Sequence, residues 1–271
     1  MTGTFFHTLQ QMTLSNCLDR EGELLKKIEE NFSYPNNQSF KIDFFALFNE
    51  KNFKNLFLWI DPKTNEIVSH LGVKERVIKD KLFFCLGGIF VDKKYRKKNI
   101  LREMISFIEN KNSNLILWSD QIELYQKLGF TPYNSIYWNN PSSIYKGDLQ
   151  SIDQISDTEL QEVKNIYQQY KMPSFSRTNE HWSEICSTTS IKYQIIRDLN
   201  GSPKGYILFN KGADLTDIIH EFYPLNLFEV QYFSHLSTKR QSNDAIEIPG
   251  ALIKTNTQLE DNLFFSGVDS I

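Results

Sequence analysis

Leu86-Gly87-Gly88-Ile89-Phe90-Val91-Asp92-Lys93-Lys94-Tyr95-Arg96-Lys97-Lys98-Asn99-Ile100-Leu101-Arg102-Glu103-Met104-Ile105 holds an apolar run, a basic turn and the start of an amphipathic segment. The apolar run ends in Val91. From Ile100 onward, Leu101, Met104, Ile105 and Ile108 recur at helical spacing. The stretch therefore reads as a strand, a turn and a helix N-terminus. The first N–H groups of a helix have no internal partner and sit at the positive end of its dipole, which makes such a turn an anion site. Arg96, Lys97, Lys98 and Arg102 add full positive charges. Cations at a helix start oppose the dipole, so local stability does not explain them, whereas a phosphate or pyrophosphate ligand does. The competing reading is a solvated basic helix start.

Around this turn the chain is ordinary. Its 271 residues suffice for one large or two ordinary domains. Hydrophobic residues make up 40% and charged residues 23%, as in globular proteins. A net charge of −3 gives no global field to recruit nucleic acid or a membrane surface, so the basic cluster is local. The three cysteines, Cys17, Cys85 and Cys186, are too few and too far apart for a disulfide framework or a zinc site. No signal peptide and no membrane-length apolar run is read, so the expected compartment is the cytoplasm and no metal is expected.

Outward from the basic turn, Asp19 to Phe32 reads as a helix with Leu24, Leu25, Ile28 and Phe32 on its apolar face. Phe40 to Phe48 is apolar and ambiguous. Strands are predicted at Leu56–Ile60, Ile67–Ile78 and Leu82–Val91, then a helix at Ile100–Glu109 and a central strand at Asn114–Trp118. A short helix, Ile122–Lys127, and a closing strand, Tyr133–Trp138, follow. A polar stretch at Asn139–Ser143 with one proline marks a boundary. Beyond it, helices are read at Asp157–Tyr170, Thr178–Cys186 and Leu225–Leu236, and strands at Ile191–Arg197, Lys204–Phe209 and Ile218–Phe222. The expected fold is mixed α/β, a mostly antiparallel sheet flanked by helices. Residues 1–140 and 141–271 form two units, the second repeating the helix-then-three-strands order of the first without its basic turn.

Two motifs then coincide. The run Val91-Asp92-Lys93-Lys94-Tyr95-Arg96-Lys97-Lys98-Asn99-Ile100-Leu101 resembles the cofactor motif of the GNAT acetyltransferase superfamily, roughly Val-x-Pro-x-Tyr-Arg-Gly-x-Gly-x-Gly/Ala. Tyr95, Arg96 and Ile100 match, while Lys97, Asn99 and Leu101 stand where the family has small residues. Leu124-Tyr125-Gln126-Lys127-Leu128-Gly129-Phe130 matches the second motif in full. The resemblance covers roughly residues 40–138, and it casts the second unit as a degenerate, GNAT-like copy.

The resemblance implies that the chain moves an acetyl group from acetyl-CoA to a primary amine of a small molecule or protein. It implies that the backbone of Ile89, Phe90 and Val91 pairs with the pantetheine arm like an added strand. It implies a pyrophosphate site from Arg96 to Arg102, comprising Arg96, Lys97, Lys98, Asn99, Ile100, Leu101 and Arg102. Tyr125 becomes the acid that protonates the departing thiolate, against its plainer reading as a core aromatic. Asn99 is the best non-glycine substitute for a left-handed backbone, and Leu101 is expected to crowd the pyrophosphate. Base candidates are His70, Glu75 and Asp120. His70 is more simply a structural histidine, and Asp120 more simply the N-cap of the following helix. His220-Glu221 reads as a polar pair at a strand end or as a cleft lining. The alternative function is a catalytically inactive acyl-CoA-binding or sensing protein. A binder of another nucleotide also stays open.

Overall fold

The computed structural model describes residues 5–35, 38–78, 80–133, 135–139, 149–170, 177–213, 215–223, 230–233, 245–248 and 251–256. The fold centres on a seven-stranded sheet. Its strands are β1 (Gln10–Thr13), β2 (Leu56–Ile60), β3 (Ile67–Ile78), β4 (Lys81–Val91), β5 (Leu115–Leu117), β6 (Thr131–Tyr133) and β14 (Ala251–Lys254), in the spatial order β1-β2-β3-β4-β5-β14-β6. The described pairings are antiparallel except β4 with β5. This is the mixed, mostly antiparallel sheet that the sequence predicts, and helices flank it.

Both faces of the sheet are covered, which is why its central strands are nearly continuous apolar runs. Along β2 all of Leu56, Phe57, Leu58, Trp59 and Ile60 are buried. Leu56, Leu58 and Ile60 face one core, with Leu24 and Ile28 of α1 (Glu21–Asn31) and Phe40 and Phe48 of the short helices α2 (Phe40–Asp43) and α3 (Phe45–Phe48). Phe57 and Trp59 face the other, with Ile100, Met104, Ile105 and Ile108 of α4 (Ile100–Glu109) and Tyr125 of α5 (Ile122–Gln126). The ambiguous stretch Phe40–Phe48 thus resolves into two single turns rather than one element. The segment before α1 supplies β1, which the sequence reading missed.

A second sheet has the order β11-β10-β9-β8, with β8 (Gln150–Ser151), β9 (Lys192–Arg197), β10 (Pro203–Lys211) and β11 (Leu215–Tyr223). Helices α6 (Asp157–Tyr170) and α7 (Asn179–Cys186) pack on it through Val163, Ile166, Tyr167, Trp182 and Ile185. A third sheet joins β12 (Val230–Phe233), β7 (Ser135–Asn139) and β13 (Ala245–Ile248) in the order β12-β7-β13. Two sequence expectations are corrected here. Val230–Phe233, expected inside a helix at Leu225–Leu236, is a strand whose register pairs Val230 with Trp138 and Phe233 with Ser135; cross-strand pairing overrides the local apolar spacing. The rest of that expected helix lies outside the described residues, as does most of the Asn139–Ser143 boundary. The single closing strand Tyr133–Trp138 is two strands in different sheets.

A cut at residue 140 leaves one strand of the later segment inside the first sheet. β14 sits between β5 and β6, pairing Leu252 with Leu117 on one side and with Pro132 on the other. The two parts of the chain are also pinned by charge. Glu184 of α7 is buried and accepts from Lys74 and, at 2.8 Å, from Arg76, both on β3. Leu252 is 2% exposed in the α4-side core. We expect Leu252→Ala to cost about 2–5 kcal/mol by urea denaturation and to lower the stability of the first sheet, read from Trp59. An unchanged midpoint would contradict the placement of β14.

Candidate functional site

The site predicted from the sequence lies where β4 parts from β5. Their parallel pairing joins Phe84, Cys85 and Leu86 to Leu115, Ile116 and Leu117 and ends there. β4 continues to Val91, so Gly87–Val91 have β3 on one edge and, among the described residues, no strand on the other. The register against β3 shifts between His70 and Gly72, with Gly72 opposite Gly87 and His70 opposite Phe90, so β4 carries one extra residue. Such a bulge bends a strand and sharpens its twist. Gly88 supplies the conformation, with φ at +59°. Ile89 and Val91 are half-buried and Phe90 is buried, so the three expected to offer their backbone all lie on this open edge.

The turn after Val91 is anchored from below. Asp92 caps a 3-10 turn over Lys93–Tyr95 through the Lys94 N–H and pairs with Lys27 of α1 at 3.0 Å. Tyr95 is buried, and its hydroxyl donates to Asp61 at 3.1 Å. The chain then passes through two left-handed residues, Lys97 (φ +65°) and Asn99 (φ +59°). These are two of the positions where the resemblance expects glycine, and both have the positive φ that glycine adopts most easily. Non-glycine residues in this region cost on the order of 1 kcal/mol each, asparagine less. Strain of this kind gathers where a binding geometry requires it.

No side chain caps α4. Its ladder begins with the Glu103 N–H bonding the Asn99 carbonyl at 3.1 Å. The N–H groups of Ile100, Leu101 and Arg102 precede it and are the orphan donors of a helix start. The expectation that Leu101 crowds this point is corrected: its side chain is half-buried and packs into the α4-side core with Ile89 and Val91.

The cations divide. Arg96 turns back, donating from Nε to the Val91 carbonyl at 3.0 Å and from Nη2 to Asn31 at 3.2 Å. Lys98 lies over the Phe5 ring, 4.1 Å from its centroid, and 5.1 Å from that of Tyr95. Arg102 donates to the Lys127 carbonyl at the end of α5, at 3.3 Å. Lys97 is exposed and has no partner among the described residues. The turn is therefore held together by three of its own charges, and Lys97 is left exposed.

Tyr125 is buried, edge-on to Phe130 with ring centroids 5.7 Å apart. Burial, reinforced by the Asp120 carboxylate, pushes its phenol up to about 12. Asp120 does not cap α5 as expected; Gln121 is the N-cap and makes no side-chain cap bond, its amide donating instead at 3.2 Å to Asp120, which is exposed beyond the end of β5. Glu75 is exposed opposite Phe84, at the closed end of the β4–β5 pair. His70 is fully buried, its Nδ1 2.7 Å from the Gly88 carbonyl. Glu221 is no cleft residue: Arg177 grips it in a bidentate pair at 2.7 and 2.5 Å, and the Tyr206 hydroxyl donates to it. No group of three metal-ligating side chains occurs among the described residues, and no described helix is long and apolar enough to cross a membrane.

Solved structures share this architecture. A GCN5-related N-acetyltransferase from Anabaena variabilis matches with a TM-score of 0.56 at 13% identity, covering 90% of this chain and 72% of that one. One from Kribbella flavida matches at 0.53 and 8%, covering 91% and 71%. Saccharomyces cerevisiae N-myristoyltransferase with bound myristoyl-CoA matches at 0.52 and 9%, covering 79% and 63%. No protein-family model and no curated protein matches the sequence. The chain has the GNAT fold, as the sequence motifs imply.

Two outcomes follow from this geometry. Asn99→Ala, which keeps a Cβ without the side chain that eases a left-handed backbone, lowers stability by about 1 kcal/mol, while Lys97→Gly raises it by a similar amount. Thermal melts read both, and the opposite order would contradict the two positive φ values. Burial holds His70 down at about 4 against the pull of its Gly88 bond. An unfolded histidine takes up its proton near pH 6.5, so the unfolded chain binds more protons between about pH 6.5 and 4, and stability falls by about 3 kcal/mol as pH drops through that window. Urea midpoints near pH 7 and pH 4.5 should show this component in the wild type and lack it in His70→Phe.

Proposed function

We propose that the chain is an acyltransferase that takes an acetyl group from acetyl-CoA and passes it to a primary amine. The observation that carries this reading is that the open edge of β4 and the uncapped start of α4 lie at the two ends of one short turn. An extended thiol-bearing arm fits the first as an added strand, and a pyrophosphate fits the second. Ile89, Phe90 and Val91 supply the backbone edge. Lys97 and the N–H groups of Ile100, Leu101 and Arg102 supply the anion site, while Asn99 shapes it and Arg96, Lys98 and Arg102 brace it.

When bound, the thioester supplies an activated acyl group. A backbone N–H of the 89–91 edge polarises its carbonyl, a fixed dipole aimed where negative charge develops. Tyr125 delivers the proton to the leaving sulfur. A phenol near 12 is a weak acid toward an ordinary thiol near 8.5. The burial that raises the phenol also raises a thiolate leaving into the same pocket, so the two move together. Asp120, exposed near Tyr125, is assigned on this reading as the carboxylate that takes the proton of the attacking amine. Holding the reactants in line supplies the rest of the rate.

The second part of the chain reads as a degenerate copy. It runs short strand, 3-10 turn, two helices and three antiparallel strands, β8 through β11, and its register also shifts, between Leu208 and Phe209. The sequence after β11, Pro224-Leu225-Asn226-Leu227-Phe228-Glu229, contains no cation, so this copy is assigned no donor. Placement in the cytoplasm belongs to the same proposal.

Calorimetric titration with acetyl-CoA, CoA and ATP tests the reading. Binding of both CoA species with none of ATP is expected, and thiol release should follow across a panel of primary amines. Binding without thiol release would make the protein an acyl-CoA sensor, and no heat with either CoA species would remove the acyltransferase reading. For Tyr125→Phe we expect kcat to fall by about 10²-fold or more with acetyl-CoA affinity kept. An unchanged kcat would strip Tyr125 of its acid role.

A further inference from the structure

His70 stands on β3 opposite Phe90, where β4 takes in its extra residue. Its ring lies between those of Phe48 and Phe90, with centroids 5.9 and 6.2 Å away. A carbonyl only accepts, so the 2.7 Å contact with Gly88 means that Nδ1 carries the ring proton. Nε2 is then a buried acceptor without a partner among the described residues. A phenylalanine here would join the same aromatic stack and remove the orphaned Nε2, at the cost of the donor to the Gly88 carbonyl, so packing alone does not explain the histidine. What the histidine adds is the bond to Gly88. The two are fitted to each other: a Cβ on Gly88 would stand 3.2 Å from His70 Cε1.

The Gly88 carbonyl and the Ile89 N–H belong to one trans peptide and point in opposite directions. His70 draws that carbonyl toward the core of α1, α2 and α3, which Phe48 and Phe90 share. The Ile89 N–H is thereby turned the other way, toward the face carrying α4 and Tyr125. Resting on the acyltransferase reading above, we propose that His70 is a positioning residue: by holding the Gly88 carbonyl it aims the Ile89 N–H at the acyl carbonyl of the donor.

The test compares His70→Phe, which removes the donor, with His70→Asn, whose amide nitrogen replaces Nδ1. Calorimetry with acetyl-CoA and with CoA is run beside thermal melts. CoA lacks the acyl carbonyl and serves as the internal control. His70→Phe should weaken acetyl-CoA about tenfold and CoA by less than about threefold, with Tm close to the wild-type value because loss of the orphaned Nε2 offsets loss of the donor to Gly88. His70→Asn should recover acetyl-CoA affinity to within about threefold. Gly88→Ala, which pushes the same peptide while keeping the histidine, should reproduce the selective loss if His70→Phe does not fold. Wild-type acetyl-CoA affinity in folded His70→Phe or Gly88→Ala would overturn the proposal, as would equal weakening of acetyl-CoA and CoA. A wild-type protein that binds neither CoA species would remove the acyltransferase reading itself, and the positioning role with it.

Discussion

The end of the parallel pairing at Leu86 and Leu117, with β4 running on to Val91, is the constraint on which the rest of the arrangement depends. β5 is short, and β14 occupies its far side, so nothing in the first sheet can close over Gly87–Val91. The added residue at Gly88 bends β4 away, and His70 holds the bent peptide from the opposite face. An unpaired strand edge is a cost that folded proteins normally cover or blunt. Here it is open beside a helix start that has no side-chain cap bond, and the proposed function has one extended anionic ligand meet both deficits.

Charge does less in this site than the sequence suggests. Arg96 closes the Val91 carbonyl, Lys98 lies on aromatic rings and Arg102 satisfies a carbonyl at the end of α5. These contacts hold the turn in shape against the repulsion of its own cations. On the proposed function, recognition falls to the backbone N–H groups of the α4 start with Lys97, a ligand being gripped by geometry as well as by charge. The left-handed backbone at Lys97 and Asn99 stores the strain of that geometry without glycine. Buried charge is used elsewhere as a fastener: Glu184 joins α7 to β3, and Glu221 binds Arg177 between the rings of Tyr167 and Trp182.

Much of this was legible because local pattern and burial agree. The bounds of Leu56–Ile60, Ile67–Ile78 and Ile100–Glu109 could be read directly, since two-sided burial makes β2 a continuous apolar run, apolar residues recur along β3 and a helical period marks α4. β14 could not, because nothing in Ala251–Lys254 says that its partners lie more than a hundred residues earlier. Val230–Phe233 misled for the same reason. In the turn, Asn99 reads as a residue suited to a left-handed backbone, and φ there is indeed positive, but nothing in the residue type marks Lys97 as left-handed too. Leu101 was misjudged because a one-dimensional motif does not say which way a side chain points. The His70–Gly88 bond had no sequence signal beyond a histidine in an apolar strand and a glycine pair in the next.

Amide hydrogen exchange, read by mass spectrometry on the wild-type protein with and without CoA, tests the central claim most directly. Protection should rise together in peptides covering Gly87–Val91 and Asn99–Glu103, with the second sheet (β8 through β11) unchanged. Protection confined to other segments, or at only one of these two, would contradict a single ligand spanning the open β4 edge and the α4 start.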